Sequence, residues 1–171
     1  MPVHVFVDET KSRGLLMAAA HCPSDDLAVH RKALRGLVLP GQERLHFNHE
    51  TPSRRKQIID VIRDFHLAVD IYQRDRSTPA DRTLCLQAIV RDTATTAERL
   101  VIERDESSLP QDRRTLHEAR ERFGCFDTLR FDLLAPKADP LLWVPDAIAW
   151  SWMRGGHWRQ AVTAFCQLKE V

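Results

Sequence analysis

No apolar run in this chain approaches the roughly 18 residues that a membrane-spanning helix needs. The start, MPVHVFVDET, has neither the basic opening nor the long apolar stretch of a secretory signal, and reads as a strand. Cysteine is sparse. Cys22, Cys85, Cys125 and Cys166 lie far apart with no CxxC pair, which argues against a zinc knuckle and fits reduced thiols in a cytoplasm. The expectation is a cytoplasmic protein with no membrane partner. An excess of one charge is also missing: 25 Lys and Arg against 24 Asp and Glu give a net charge of +1. That excludes a histone-like binder, but not nucleic-acid binding through charge segregated between faces. There is no internal repeat, no low-complexity segment, no phosphate loop, no dinucleotide fingerprint and no nucleophile elbow.

What is present suits one domain spanning residues 1–171. Hydrophobic residues make up 43%, enough for a real core, and charged residues 29%. Val3, Val5 and Val7 alternate with His4 and Phe6 and run into Asp8 and Glu9, a strand ending in two acids. A turn over 11–14 and the apolar run Leu15 to Ala20 predict an antiparallel second strand. Ser24, with Asp25 and Asp26 behind it, predicts a capped helix stopped by Pro40 and Gly41. A short extended piece, Leu45 to Phe47, leads to a second helix opened by Thr51 and Pro52. The segment 24–65 therefore reads as a helical insertion after the second strand. Beyond it, alternation predicts a strand over 66–72. A helix is expected over 81–97, a buried strand over 99–103, a polar helix over 110–123 and a short strand over 128–133. A helix from Pro145 to Arg154 and a last helix over 157–168 close the chain. This order fits an α/β fold, a mixed sheet with helices on both faces.

Three acidic groups stand at special places. Asp8 and Glu9 end the first strand, Glu103, Asp105 and Glu106 end the fourth, and Asp146 lies in the first turn of a late helix. If those strands are parallel neighbours, their acidic ends share the edge where open α/β sheets place their sites. Clustered carboxylates repel one another, and a divalent cation removes the conflict. Oxygen-only ligands suit Mg²⁺ or Mn²⁺, and two such ions about 4 Å apart would activate a water and stabilise the leaving oxygen in phosphodiester cleavage. Each group also has a plainer reading: acids are common in turns, complement helix dipoles and solvate loops.

His46, His49 and Glu50 form an HxxHE cluster rather than HExxH. The cluster leaves a zinc hydrolase as a minor alternative to surface loop histidines. Arg54, Arg55 and Lys56 open the next helix and would grip phosphate, or simply solvate a helix face. Trp143, Asp146 and Trp150 share one helical face; with Trp152 and Trp158 they would stack on bases or pack the terminal helices.

The stretches VFVDET and LLMAAA, then RLHFNHE, LVIERDES and VPDAIAW, resemble in order and spacing the family known as domain of unknown function 3800, from Val3 to about Trp152. The resemblance implies a ribonuclease-H-like fold and a metal-dependent nuclease acting on RNA or DNA. It implies Asp8, Asp105 and Asp146 as metal ligands, with Glu103 competing with Asp105. Glu9 and Glu50 become helpers, and His46 or His49 would assist proton transfer or contact phosphate. The chain departs from the family where Lys11 follows Asp-Glu-Thr, and where the helix over 81–97 lacks an inward Glu. Asp92 is its only mid-helix acid, and Glu50 is the candidate replacement. The rival to an enzyme is a non-catalytic module of the same fold that binds nucleic acid or a protein.

Overall fold

A computed structural model describes residues 2–171. Six strands form one sheet: β1 (Val3–Thr10), β2 (Leu15–Pro23), β3 (Ala68–Arg74), β4 (Ala97–Glu103), β5 (Arg130–Leu134) and β6 (Cys166–Lys169). Their spatial order is β5-β4-β1-β2-β3-β6. The β1/β2 and β2/β3 pairs are antiparallel, and the β1/β4, β4/β5 and β3/β6 pairs are parallel. Six helices cover the sheet: α1 (Leu27–Arg35), α2 (Pro52–Asp64), α3 (Pro79–Thr93), α4 (Leu109–Arg122), α5 (Trp143–Arg154) and α6 (Gly156–Thr163).

The sheet divides the core in two because alternate side chains of a strand point to opposite faces. On one face Phe6, Ala18, Ala20 and Val101 pack against Leu34 of α1, Ile58 and Ile62 of α2, Ala147 and Ile148 of α5, and Val162 of α6. On the other, Val5, Val7, Met17, Leu100 and Ile102 meet Cys85 and Ile89 of α3 and Leu116 and Ala119 of α4. The result is an α/β architecture with a mixed sheet flanked by helices. Among the described residues, no helix is long and apolar enough to cross a membrane.

Local chemistry sets several boundaries. Thr78 and Asp81 form a reciprocal capping box at the start of α3, with Pro79 as its first residue. Thr51 caps α2 by accepting from the Arg54 amide at 3.3 Å. Between β1 and β2 the chain turns through Gly14 at φ +78°. A Cβ there would stand 2.7 Å from the carbonyl oxygen of Asp75, and closer still to that of Arg74. Gly14→Ala combines a left-handed backbone with this clash, so a loss of about 2 kcal/mol is expected. Chemical denaturation reads it directly; a loss below a few tenths of a kcal/mol would contradict the account.

Three expectations are corrected. The helix expected over 157–168 ends at Thr163, and Cys166–Lys169 form β6, paired with Val69 to Tyr72. The apolar spacing of Phe165 and Leu168 suits a helix, but the free edge of β3 offers backbone partners that only an extended chain can use. Leu168 is 58% exposed instead of buried. The extended piece expected over 45–47 is extended at His46 but ends there, because Phe47–His49 form a single 3-10 turn. Ser24 makes no side-chain cap; residues Ser24–Asp26 are a 3-10 turn leading into α1, which stops at Arg35, before Pro40.

Candidate active site

The register of β1 on β4 decides which acids meet. Val5 pairs with Leu100, Phe6 with Val101 and Val7 with Ile102. One step further, Asp8 stands beside Glu103, both on the face of Phe6 and Val101. Helix α5 packs over β1 and β2 on that face and brings Asp146 from its first turn to the same edge. Asp8 is only 6% exposed. Burial pushes its carboxyl well above the usual range, and the hydrogen bond and charge of Glu103, then the charge of Asp146, push it further. The Glu9 amide opposes them by donating to Asp8 Oδ1 at 2.7 Å. Asp146 is raised to about 6, first by burial and then by Glu103, against the Phe47 amide and the charges of Arg44 and His49.

The segment between α1 and α2 forms the wall opposite. The Phe47 amide donates to Asp146 Oδ2 at 3.4 Å. The Arg55 guanidinium holds that segment in place, donating from Nε to the Phe47 carbonyl (3.0 Å) and from Nη2 to the Asn48 carbonyl (2.8 Å). Arg55 lies over the Trp150 ring, 4.2 Å from its centroid, and Trp150 Nε1 donates to Asn48 Oδ1 at 3.1 Å. His46 and His49 stack with centroids 3.9 Å apart. His46 is lowered by burial and by Arg44 and His49, while Glu103 and Glu50 pull it upward. Glu50 is buried and accepts from Gln42 Nε2 at 3.2 Å.

Several candidate residues lie elsewhere. Glu9 follows the face of Val7 and pairs with Arg82, which also binds Asp112, although it still lines the cavity beside Asp146. Asp105 lies past the end of β4, where the strand alternation no longer applies. It accepts from Ser107 Oγ at 2.6 Å and from Lys11 Nζ at 3.3 Å, and these bonds hold its carboxyl below the usual range. The acid of β4 that joins Asp8 and Asp146 is therefore Glu103. Asp92, in α3, accepts from the Tyr72 hydroxyl. Arg54 turns to the Leu37 carbonyl and Gln57, and Lys56 lines a separate cavity between α2 and α6. Of that basic trio only Arg55 reaches the carboxylate edge. Arg154 was missed by the sequence reading, although it continues the stripe Asp146–Trp150 by one more turn of helix.

No protein-family model matches the chain, and no curated protein sequence matches it significantly.

Among the described residues, no three His, Cys, Asp or Glu side chains surround one point closely enough to hold a metal ion as they are placed. The donor chemistry nevertheless fits a hard divalent cation. Asp8, Glu103 and Asp146 offer only carboxylate oxygens, and their burial and mutual repulsion are what such a cation relieves. Coordination would require the Asp8–Glu103 hydrogen bond to open.

Proposed function

We propose that this protein is a metal-dependent nuclease of the ribonuclease-H-like kind, with Asp8, Glu103 and Asp146 holding Mg²⁺ or Mn²⁺. The observation that carries this reading is the convergence of three carboxylates from β1, β4 and α5, two of which resist ionisation. Such groups cluster at functional sites because burial and like charges are tolerated there at a cost in stability. The strand order supports the fold assignment: three successive antiparallel strands, with β4 and β5 laid parallel beside β1. The basic rim supports the substrate class. Arg44, Arg55 and Arg154 lie around the acidic edge, and among the described residues none has a carboxylate partner.

A bound cation would neutralise the carboxylates, lower the pKa of a bound water and polarise the phosphoryl group. The chain's own residues do the rest. Phe47 N and the Arg55 clamp fix Asp146. Burial keeps His46 neutral near the acids, where it can accept a proton from water or return one to the leaving oxygen. The guanidinium groups hold phosphates in place.

The test is cleavage of labelled single-stranded RNA, single-stranded DNA and RNA–DNA hybrid in Mn²⁺ and in Mg²⁺. At least one substrate is expected to be cut, with EDTA abolishing the reaction and Asp8→Asn lowering it by about 10³-fold. Asp105→Asn should leave at least a third of the rate, because that side chain faces Lys11 and Ser107. Binding without cleavage under any of these conditions would overturn the reading in favour of a non-catalytic nucleic-acid module.

A further inference from the structure

A cavity of about 600 Å³ opens beside Asp146, between the β1–β2 turn and helix α5. Glu9 and Asp146 form its inner, acidic wall, and Ser12, Asn48, Arg55 and Arg154 lie among the residues of the rest, with Thr10 and Trp150. Asp146, Trp150 and Arg154 succeed one another at helical spacing, so one face of α5 runs from the acid to the cavity's outer wall. Phe47 and Trp158 meet the Trp150 ring at steep angles, with centroids 5.3 and 5.4 Å away. Both arginines of the cavity lie over that ring: Arg55 at 4.2 Å and Arg154 at 5.9 Å from its centroid. A guanidinium on an aromatic ring is held in place without being neutralised. Arg55 is fixed further by the Phe47 and Asn48 carbonyls.

Two positioned cations with no carboxylate partner among the described residues face this cavity with two hydroxyls and an amide, while the two acids of its inner wall are engaged elsewhere, Glu9 with Arg82 and Asp146 with the Phe47 amide. The arginine side therefore makes a receptor for a phosphate and its polar neighbours. The volume falls within the range of small-ligand pockets and suits one nucleotide unit. We infer that this cavity is the subsite for the nucleotide next to the bond to be cut, with its phosphate held by Arg55 and Arg154. The inference rests on the nuclease reading for its place in the reaction. It does not rest on that reading for binding itself.

Binding is therefore measured in EDTA, where cleavage plays no part, as fluorescence anisotropy of a labelled dT octamer with the full chain. Arg154 is exposed, so Arg154→Glu should fold normally, and circular dichroism checks that it does. Its affinity is expected to fall about tenfold or more, and the slope of log K against log salt to decrease by about one phosphate contact. Arg122→Glu, an exposed change of the same charge on α4, should shift affinity less than twofold. Arg55→Lys keeps the charge but loses the fork, and should weaken binding about threefold or more. The subsite is overturned if the wild-type chain does not bind the octamer, or if Arg154→Glu and Arg122→Glu act alike. Retained, Arg154-dependent binding together with no cleavage in Mn²⁺ or Mg²⁺ would keep the subsite and remove the nuclease.

Discussion

Asp146→Asn is expected to make the protein more stable at pH 7 while removing the proposed metal-dependent cleavage. The carboxyl of Asp146 has a folded-state pKa of about 6 against an ordinary 3.8. Below pH 3.8 it is protonated in both folded and unfolded chains, and there is no penalty. Between 3.8 and 6 the unfolded chain releases the proton first, so stability falls as pH rises. Above pH 6 the full penalty applies. The displacement corresponds to about 3 kcal/mol at 1.36 kcal/mol per pKa unit. Partial solvent contact and the lost Phe47 hydrogen bond reduce the expected gain to about 1–2 kcal/mol. For a chain of this size that is a rise in Tm of about 3–6 °C at pH 7. Near pH 3.5 the gain should vanish, leaving at most the small cost of the altered Phe47 hydrogen bond. A variant less stable than wild type at pH 7 would show that Asp146 is a structural acid, held by favourable partners. The same logic predicts that Mn²⁺ stabilises the wild-type protein and not the variant.

Arg82→Ala is expected to cause the largest loss of stability of any single change considered. Arg82 is buried on the face opposite Asp8. Its Nε and Nη2 donate to the two oxygens of Asp112, both at 2.8 Å, and its Nη1 donates to Glu9. Asp112 is 2% exposed. The guanidinium thus joins the end of β1 to the N-terminal turns of α3 and α4. Removing it leaves the buried Asp112 carboxylate without its cation and half-buried Glu9 with only Lys11, 3.8 Å away, which costs about 3 kcal/mol or more. Arg82→Lys should recover only part of this, because an ammonium cannot bind Asp112 through two parallel bonds. Denaturant titration of both variants is the measurement; a loss under 1 kcal/mol for Arg82→Ala would mean water replaces the guanidinium without difficulty. The network also ties Glu9, next to Asp8 in sequence, to Arg82, on the wall of the cavity it shares with Asp146.

That division between Asp8 and Glu9 shows what the sequence could and could not reveal. Alternation of Val3, Val5 and Val7 with Phe6 is legible, and it places successive acids on opposite faces. Which face carries the site depends on where α5 packs, and no local pattern encodes that. The choice between Glu103 and Asp105 turns on the residue at which β4 stops pairing, and a one-residue shift moves a side chain to the other face. Ser107 and Lys11 decide the outcome by holding Asp105 in the following turn. The helices of the segment 24–65 are legible from Thr51, Pro52 and the isoleucine stripe. The strand β6 is not: Cys166, Gln167, Leu168 and Lys169 alternate, but four residues are too few to set a period against the helical spacing of Phe165 and Leu168. Arg154 is a different case. The stripe of Asp146 and Trp150 predicts a residue at that position on the same face, but not a cavity beside it.

Calorimetric titration of Mn²⁺ into the wild-type protein and Asp8→Asn at pH 7 tests the carboxylate cluster most directly. The account predicts saturable binding to wild type, with protons released as the Asp8–Glu103 hydrogen bond opens, and no binding to Asp8→Asn. Wild-type protein that takes up no Mn²⁺, or an Asp8→Asn variant that binds it equally well, would contradict the assignment of these acids to a cation site.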